Sequence, residues 1–359
     1  MKYYYRNLLI KYNNTINTIV LIINNKQLEK YVEAIKGDTI LGIDTEFRRI
    51  DSYFPELCLI QIASKYQLEC IDVLSISNLQ PLFDKLYDGK TLWVIHSARQ
   101  DIEALYYLSD RIPSLLFDTQ IGASFLNYPL QVSYQSLTEK LQNILLDKQY
   151  TRFDWRIRPL PNDVLQYALD DVKYLLPNYN NLTKELKNKG KLDWAEEEVE
   201  LLLNKDTYKP NFRKILKKTK GISKISHQNQ ENAFRLILWR ESAAQQKNKP
   251  RRWIMSDEAL IAYADGTRKL SNNQNILFEK FIRKTKLKVR PKEALVVQKP
   301  LSETEKLLIN QLKEKINHLS LKYAIPSELI CSSKNLVKFM RGDNTLSINR
   351  GWRSKIFKI

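Results

Sequence analysis

The sequence predicts an α/β domain, a mixed sheet with helices packed on it, followed by a helical and strongly basic second half. Three observations carry this. Up to about residue 190, short runs rich in β-branched and aromatic residues alternate with amphipathic stretches of helical period. From residue 226 onward, apolar residues recur at helical spacing. The charge also changes sign along the chain: residues 1–208 hold 24 Lys and Arg against 28 Asp and Glu, net −4, whereas residues 209–359 hold 34 against 12, net +22.

Taken in order, Thr18–Ile23 (TIVLII) reads as a first strand, with residues 1–16 as a variable extension. NKQLEKYVEAIKG is a helix ending at Gly37, and TILGID a strand. LCLIQIAS and LECIDVL read as a pair of strands, ISNLQPLFDKLYDG as a helix and TLWVIHS as a strand. ARQDIEALYYLS is a helix, with Ser97-x-x-Gln100 in capping-box spacing at its start. LLFDTQIGASFLNY and SYQSLTEKLQNIL follow, with Asp118 or Thr119 as a helix cap. One helix through NDVLQYALDDVKYLLPNYNNLTKELKNKG closes the domain near Gly190. An acidic helix, AEEEVELLLN, leads to a basic linker. In the second half, NQENAFRLILWRESAAQQKN places Phe234, Ile237, Leu238 and Trp239 on one stripe, and Trp239, Trp253 and Trp352 read as core residues. The divisions predicted are an extension at 1–16, an α/β domain at 17–208, a basic linker at 209–225, and helical modules at 226–296 and 301–359.

The bulk properties exclude several classes. With 359 residues and 43% hydrophobic content the chain can bury a core, and no apolar run reaches the roughly 18 residues of a membrane span. Cys58, Cys70 and Cys331 form no C-x-x-C pair, so they read as reduced thiols of a cytoplasmic protein and not as a zinc site or disulfide frame. The start of the chain is basic and then apolar, but Asn and Thr interrupt the apolar part and no cleavage site follows, so it does not read as a signal peptide. A basic half beside a mildly acidic one suggests a polyanion-binding region attached to something else.

The acids suggest what that is. In GIDTEFRR, Asp44 and Glu46 sit two apart at a strand end, so both point to one face, where they can reach one divalent cation. Asp101 lies in the first turn of the helix leaving the strand TLWVIHS. Tyr167 and Asp171 share a helix face at i and i+4, and Asp170 at i+3 is an equal alternative on spacing alone. Clustered carboxylates call for magnesium or manganese, and two such ions are suited to phosphodiester hydrolysis.

These stretches resemble ribonuclease D, of the DEDD exonuclease superfamily in its tyrosine-containing branch. DTEFRRIDSYFPELCLIQIA is similar to that family's first exonuclease motif, HSARQDIEAL to its second and YALDDVKYLLP to its third, with RFDWRIRPL resembling a further family stretch. RLILWRESAAQQKNKPRRWIMSD resembles the helicase-and-RNase-D C-terminal (HRDC) module, and IPSELICSSKNLVKFMRGD…GWR a second, diverged copy. The resemblance implies a ribonuclease H-like exonuclease domain followed by all-α HRDC modules. It implies Asp44, Glu46, Asp101 and Asp171 as ligands of two Mg²⁺ or Mn²⁺ ions, and it selects Asp171 over Asp170. Tyr167 would hold the attacking water. The activity implied is 3′-to-5′ exoribonuclease, releasing nucleoside 5′-monophosphates from 3′ ends of structured RNA such as tRNA precursors, with no membrane or obligate protein partner.

Arg49 fits a family position as a phosphate contact or an ion pair, and Trp155 and Arg158 are candidate RNA contacts or packing residues. His96 is expected as a hydrogen-bonded strand-end residue. A DNA exonuclease with the same metal core and a catalytically idle RNA-binding adaptor are the rival readings; cleavage of labelled RNA and DNA with and without metal separates them. A chain ending near Lys209 is expected to keep a complete metal site.

Overall fold

The computed structural model describes residues 21–147, 149–150, 152–285 and 300–357. The extension at 1–16, and the start of the strand expected from Thr18, lie outside them. The described residues form two compact units, one within residues 21–48, 57–207 and 301–357, the other within 49–56, 208–285 and 300.

The first unit is built on a six-stranded mixed sheet. Its strands are β1 (Leu21–Ile22), β2 (Ile40–Arg48), β3 (Glu56–Ala63), β4 (Leu68–Asp72), β5 (Leu92–Ile95) and β6 (Leu115–Asp118), in the spatial order β1-β4-β3-β2-β5-β6. β3 and β4 pair antiparallel, as their joint reading as a strand pair implied, while β2 and β5, and β5 and β6, pair parallel. β3 is buried along nearly its whole length, so it reads as a continuous apolar run broken only by Gln61.

Helices α1 (Asn25–Ala34), α2 (Gln80–Leu86), α3 (Arg99–Ser109), α4 (Thr119–Ser124) and α5 (Tyr134–Gln142) follow the predicted order. The long closing helix differs: it is two helices, α6 (Asn162–Lys173) and α7 (Leu175–Asn188). Pro177 has no N–H for the Lys173 carbonyl, which favours a break there. The buried Tyr134 hydroxyl accepts from the Tyr174 N–H at 3.0 Å and donates to the Asp170 carbonyl at 3.2 Å. It therefore stands between two groups that would bond each other in an unbroken helix, an insertion that bends helices. Gly42 allows close packing here: a Cβ on it would lie 3.1 Å from the Leu175 Cβ and 3.3 Å from the Ala63 Cβ.

The α3 start also differs from expectation. Ala98, not Ser97, is the cap residue, and it makes no side-chain capping bond. Ser97 has φ +62°, and the backbone N–H groups of Ser97 and Ala98 donate to Asp118 at 3.1 and 2.8 Å. Asp118 also accepts from the Gln120 and Ile121 N–H groups, as the predicted cap of α4. One carboxylate thus holds two helix starts.

α8 (Leu192–Glu200) and residues 301–357 complete this unit's core. The latter segment holds four helices, α14 (Glu303–Tyr323), α15 (Ser327–Ile330), α16 (Ser333–Met340) and α17 (Gly351–Ile356). Ile316, Leu319, Ile330 and Trp352 belong to one apolar cluster with Phe125, Leu182 and Ala195. The Trp352 ring stacks on Trp194 at 5.0 Å and meets Phe125 edge-on at 5.3 Å. Lys191 Nζ donates to the Phe125 and Tyr323 carbonyls at 2.9 and 2.5 Å. A chain ending near Lys209 would lack residues 301–357 and expose this cluster.

The second unit packs α9 (Phe212–Lys218), α10 (Gln230–Gln246), α11 (Arg251–Ile254), α12 (Asp257–Ala264) and α13 (Asn272–Lys284) around Phe234, Ile237 and Trp239. A fully buried ion pair, Arg240 to Asp257 at 2.7 Å, ties α10 to α12. Residues 49–56 join this unit through hydrogen bonds: Tyr53 and Phe54 N–H groups donate to Asn248 Oδ1, and the Tyr53 hydroxyl donates to Glu241 at 2.5 Å. Trp253 departs from its core reading; it is 65% exposed, with Lys249 Nζ 5.7 Å from its ring centre.

Candidate active site

The site is built on the second half of β2, which runs on to Arg48, so Asp44 and Glu46 lie within the strand and not at the strand end expected from the sequence. Strand alternation turns Asp44 and Glu46 to the face covered by α6, and Thr45 to the other. α6 buries Val164, Leu165, Ala168, Leu169 and Val172, and this fixes the helix rotation that turns Tyr167 and Asp171 toward those two acids. Carboxylate oxygens of Asp44, Glu46 and Asp171 all lie within 4.8 Å of one another. Asp170 faces away and accepts from Gln166 Nε2 at 3.1 Å. Geometry therefore separates the two candidates that spacing left equal.

Asp101 is placed by the first turn of α3, which packs against β2. It is 7% exposed and accepts from the Thr45 hydroxyl at 2.6 Å. It is not in the tight group of three, but its charge reaches Asp44. Thr45 was missed from the sequence. As the middle residue of D-x-E it points to the α3 side, and alternation is the signal that could have found it.

The electrostatics suit a cation. Burial, and then the charges of Asp101, Asp171 and Glu46, hold the Asp44 carboxyl well above the usual carboxylate range. Burial, then Asp171 and Asp101, do the same to Glu46. Burial is the main cause that lifts both Asp101 and Asp171 to about 7, although Thr45 and Tyr167 hydrogen bonds lower them. Acids crowded this way hold together as anions only with positive charge between them. Hard oxygen donors, bunched and partly buried, fit a divalent metal. Tyr167 is in place as a hydroxyl donor to Asp171. Its ring meets Tyr150 at 5.8 Å, and the Tyr150 hydroxyl bonds Asp163.

The other named residues have structural partners. Trp155 is 4% exposed in the cluster under α6. Arg158 grips Asp72 with two nitrogens at 2.7 and 2.6 Å and the Cys58 carbonyl at 3.2 Å. Arg48 lies 3.7 Å from Asp154, and Arg49 Nε donates to the Tyr53 carbonyl at 3.2 Å. His96 bonds Thr119 Oγ1 and the Val132 carbonyl, both at 2.9 Å, in keeping with its expected role at a strand end.

A mixed sheet with acids gathered on a central strand and a tyrosine on the covering helix defines a nuclease of the 3′-5′ exonuclease class. The 3′-5′ exonuclease family profile matches residues 19–187. Ribonuclease D of Bartonella henselae is 35% identical, across 94% of this chain and 87% of that protein. Ribonuclease D of Nitrobacter hamburgensis is 29% identical, across 94% and 92%. The crystal structure of Escherichia coli RNase D, described as an exoribonuclease involved in structured RNA processing, superposes with a TM-score of 0.78 at 23% identity, covering 95% of this chain and 96% of that one. The chain belongs to the ribonuclease D family, and its activity is that of a 3′-to-5′ exoribonuclease.

Proposed function

We propose that the protein trims the 3′ ends of structured RNA, tRNA precursors among them, by hydrolysis at two divalent cations, Mg²⁺ or Mn²⁺. The observation that carries this is the convergence of Asp44, Glu46 and Asp171, with Asp101 beside Asp44. These four carboxylates would hold the ions, which would supply charge neutralisation for the phosphodiester and lower the pKa of water. The chain's own groups do the rest. Thr45 fixes the Asp101 carboxylate. Tyr167, on the same helix face as Asp171, would take the attacking water with its hydroxyl and give it direction. Nucleoside 5′-monophosphates would leave one at a time.

The excess of basic side chains after residue 208 supports a grip on phosphates that needs no sequence reading. Its partner would be RNA with a single-stranded 3′ end. Free thiols at Cys58, Cys70 and Cys331 fit a reducing compartment such as the cytoplasm. The preference for RNA over DNA rests on the family.

The test is to incubate 3′-labelled RNA and matched DNA with magnesium, manganese or EDTA. RNA shortened from its 3′ end with metal, and left intact in EDTA or by Asp44→Asn, is the expected result. Equal cleavage of DNA, or turnover by the Asn variant, would refute it.

A further inference from the structure

We infer that Gln61 is a positioning residue of the acid cluster, its amide N–H placed to hold the Asp44 carboxylate when a divalent cation is bound. This rests on the metal-dependent reading above.

Gln61 lies within β3 and is fully buried, and among the described residues neither its Nε2 nor its Oε1 has a hydrogen-bond partner. A primary amide brings two donors and an acceptor, and burying all of them unpaired is costly enough to need a reason.

Its position supplies one. β3 runs between β4 and β2, and Gln61 is the cross-strand partner of Cys70. Two contacts set β2 against β3. Asp38, just before β2, takes a hydrogen bond from Ser64, just after β3, so the start of β2 lies beside the end of β3, as in strands that run in opposite directions. A Cβ on Gly42 would lie 3.3 Å from that of Ala63, so these two residues are neighbours. Two residues along each strand, Asp44 then stands beside Gln61, on the same face. The Cys70 thiol, on the far side of Gln61, gives an independent check: the charges of both Glu46 and Asp44 reach it. The unpaired amide is therefore on the face of the acid cluster, next to Asp44 and closed in by α6.

A carboxylate that ligates a cation through one oxygen leaves the other to be oriented, and such outer partners commonly change metal affinity about 10- to 100-fold. Gln61 provides an N–H donor at that place, from a rigid central strand. The amide oxygen would then be left toward Cys70, its cross-strand partner, whose reduced thiol is a weak donor.

The test replaces Gln61 with Met, similar in size and without the amide, in the full chain. Mn²⁺ affinity is measured by calorimetry, and the unfolding midpoint is followed in EDTA and in Mn²⁺. Gln61→Met should melt no lower than the parent protein in EDTA, because an unpaired buried amide has gone. It should bind Mn²⁺ roughly tenfold or more weakly, and kcat at limiting Mn²⁺ should fall while the KM for a short oligonucleotide holds. Mn²⁺ affinity within about twofold of the parent would overturn the inference. So would a lower midpoint in EDTA, which would make the amide a structural partner. Asp44→Asn is run alongside. If it binds Mn²⁺ normally, the metal site itself is misassigned; if it alone loses Mn²⁺, only the role of Gln61 falls.

Discussion

Trp352→Ala removes a side chain 181 positions beyond Asp171, yet it should destabilise the unit that carries the acids. The ring is fully buried, stacked at 14° on Trp194 and edge-on to Phe125. Its indole nitrogen has no hydrogen-bond partner among the described residues, so the loss is one of packing and cavity formation. Burial of this kind is worth about 3–5 kcal/mol on truncation to alanine. The Trp352 backbone N–H keeps its 2.9 Å bond to Glu197, which limits relaxation to the side chain's own space. For a unit of this size, each kcal/mol moves the midpoint by about 2–4 °C, so a drop of roughly 10 °C is expected. The assay is a short heat challenge at graded temperatures, followed by hydrolysis of a short RNA oligonucleotide, with circular dichroism in parallel. Trp253→Ala, at an exposed tryptophan, is the control and should stay within about 0.5 kcal/mol. If activity in Trp352→Ala survives to the parent temperature while a separate minor transition shifts, residues 301–357 are not part of the nuclease core and the reasoning fails.

Other expectations concern the site directly. Asp101 has a folded pKa of about 7 against an unfolded value near 3.8, so the stability it contributes in EDTA is fully present below pH 4 and lost as pH rises through 7. The shift is worth about 4 kcal/mol; Asp101→Asn should flatten urea midpoints measured between pH 4 and 8, and an unchanged slope would contradict it. Tyr167→Phe should slow chemistry on the order of 10²-fold with RNA affinity intact in filter binding, whereas equal losses in both would indicate a packing defect. Asp170→Asn should be much milder than Asp171→Asn in the same turnover assay, since only Asp171 faces the acids; comparable losses would reverse that assignment. Arg158→Met leaves Asp72, 1% exposed, without its cation and should cost about 3–5 kcal/mol in denaturant unfolding. Unchanged stability with weakened RNA binding would make Arg158 an RNA contact instead.

Local patterns made much of this architecture readable. The strand pair β3–β4, the helix carrying Asp101 and the same-face placement of Asp44 and Glu46 follow from alternation, period and turn residues within a few positions. What stayed hidden depends on partners distant in sequence. Ser97 looked like a helix cap until Asp118, 21 residues later, proved to take its N–H. α6 and α7 read as one helix because the hydroxyl that parts them belongs to Tyr134, 40 residues before Tyr174. Trp155 and Arg158 read equally as RNA contacts or packing residues, because Asp72, which pairs with Arg158, lies 86 positions away and Trp155 is buried by residues from several elements. Trp253 and Trp352 look alike in sequence, and only tertiary packing makes one exposed and the other core.

The apolar cluster shared by the sheet unit and residues 301–357 also sets an order in time. A ribosome completes residue 207, with every acid of the site already made, and must add 150 more residues before Phe357 closes the cluster. At roughly 5–20 residues per second this takes on the order of ten to thirty seconds, for most of which Phe125 and Trp194 lack Trp352. The growing chain thus carries its acids well before the apolar cluster of the same unit is closed. A product cut short by premature termination would not be a nuclease freed from its basic half, but an unfinished core open to proteases.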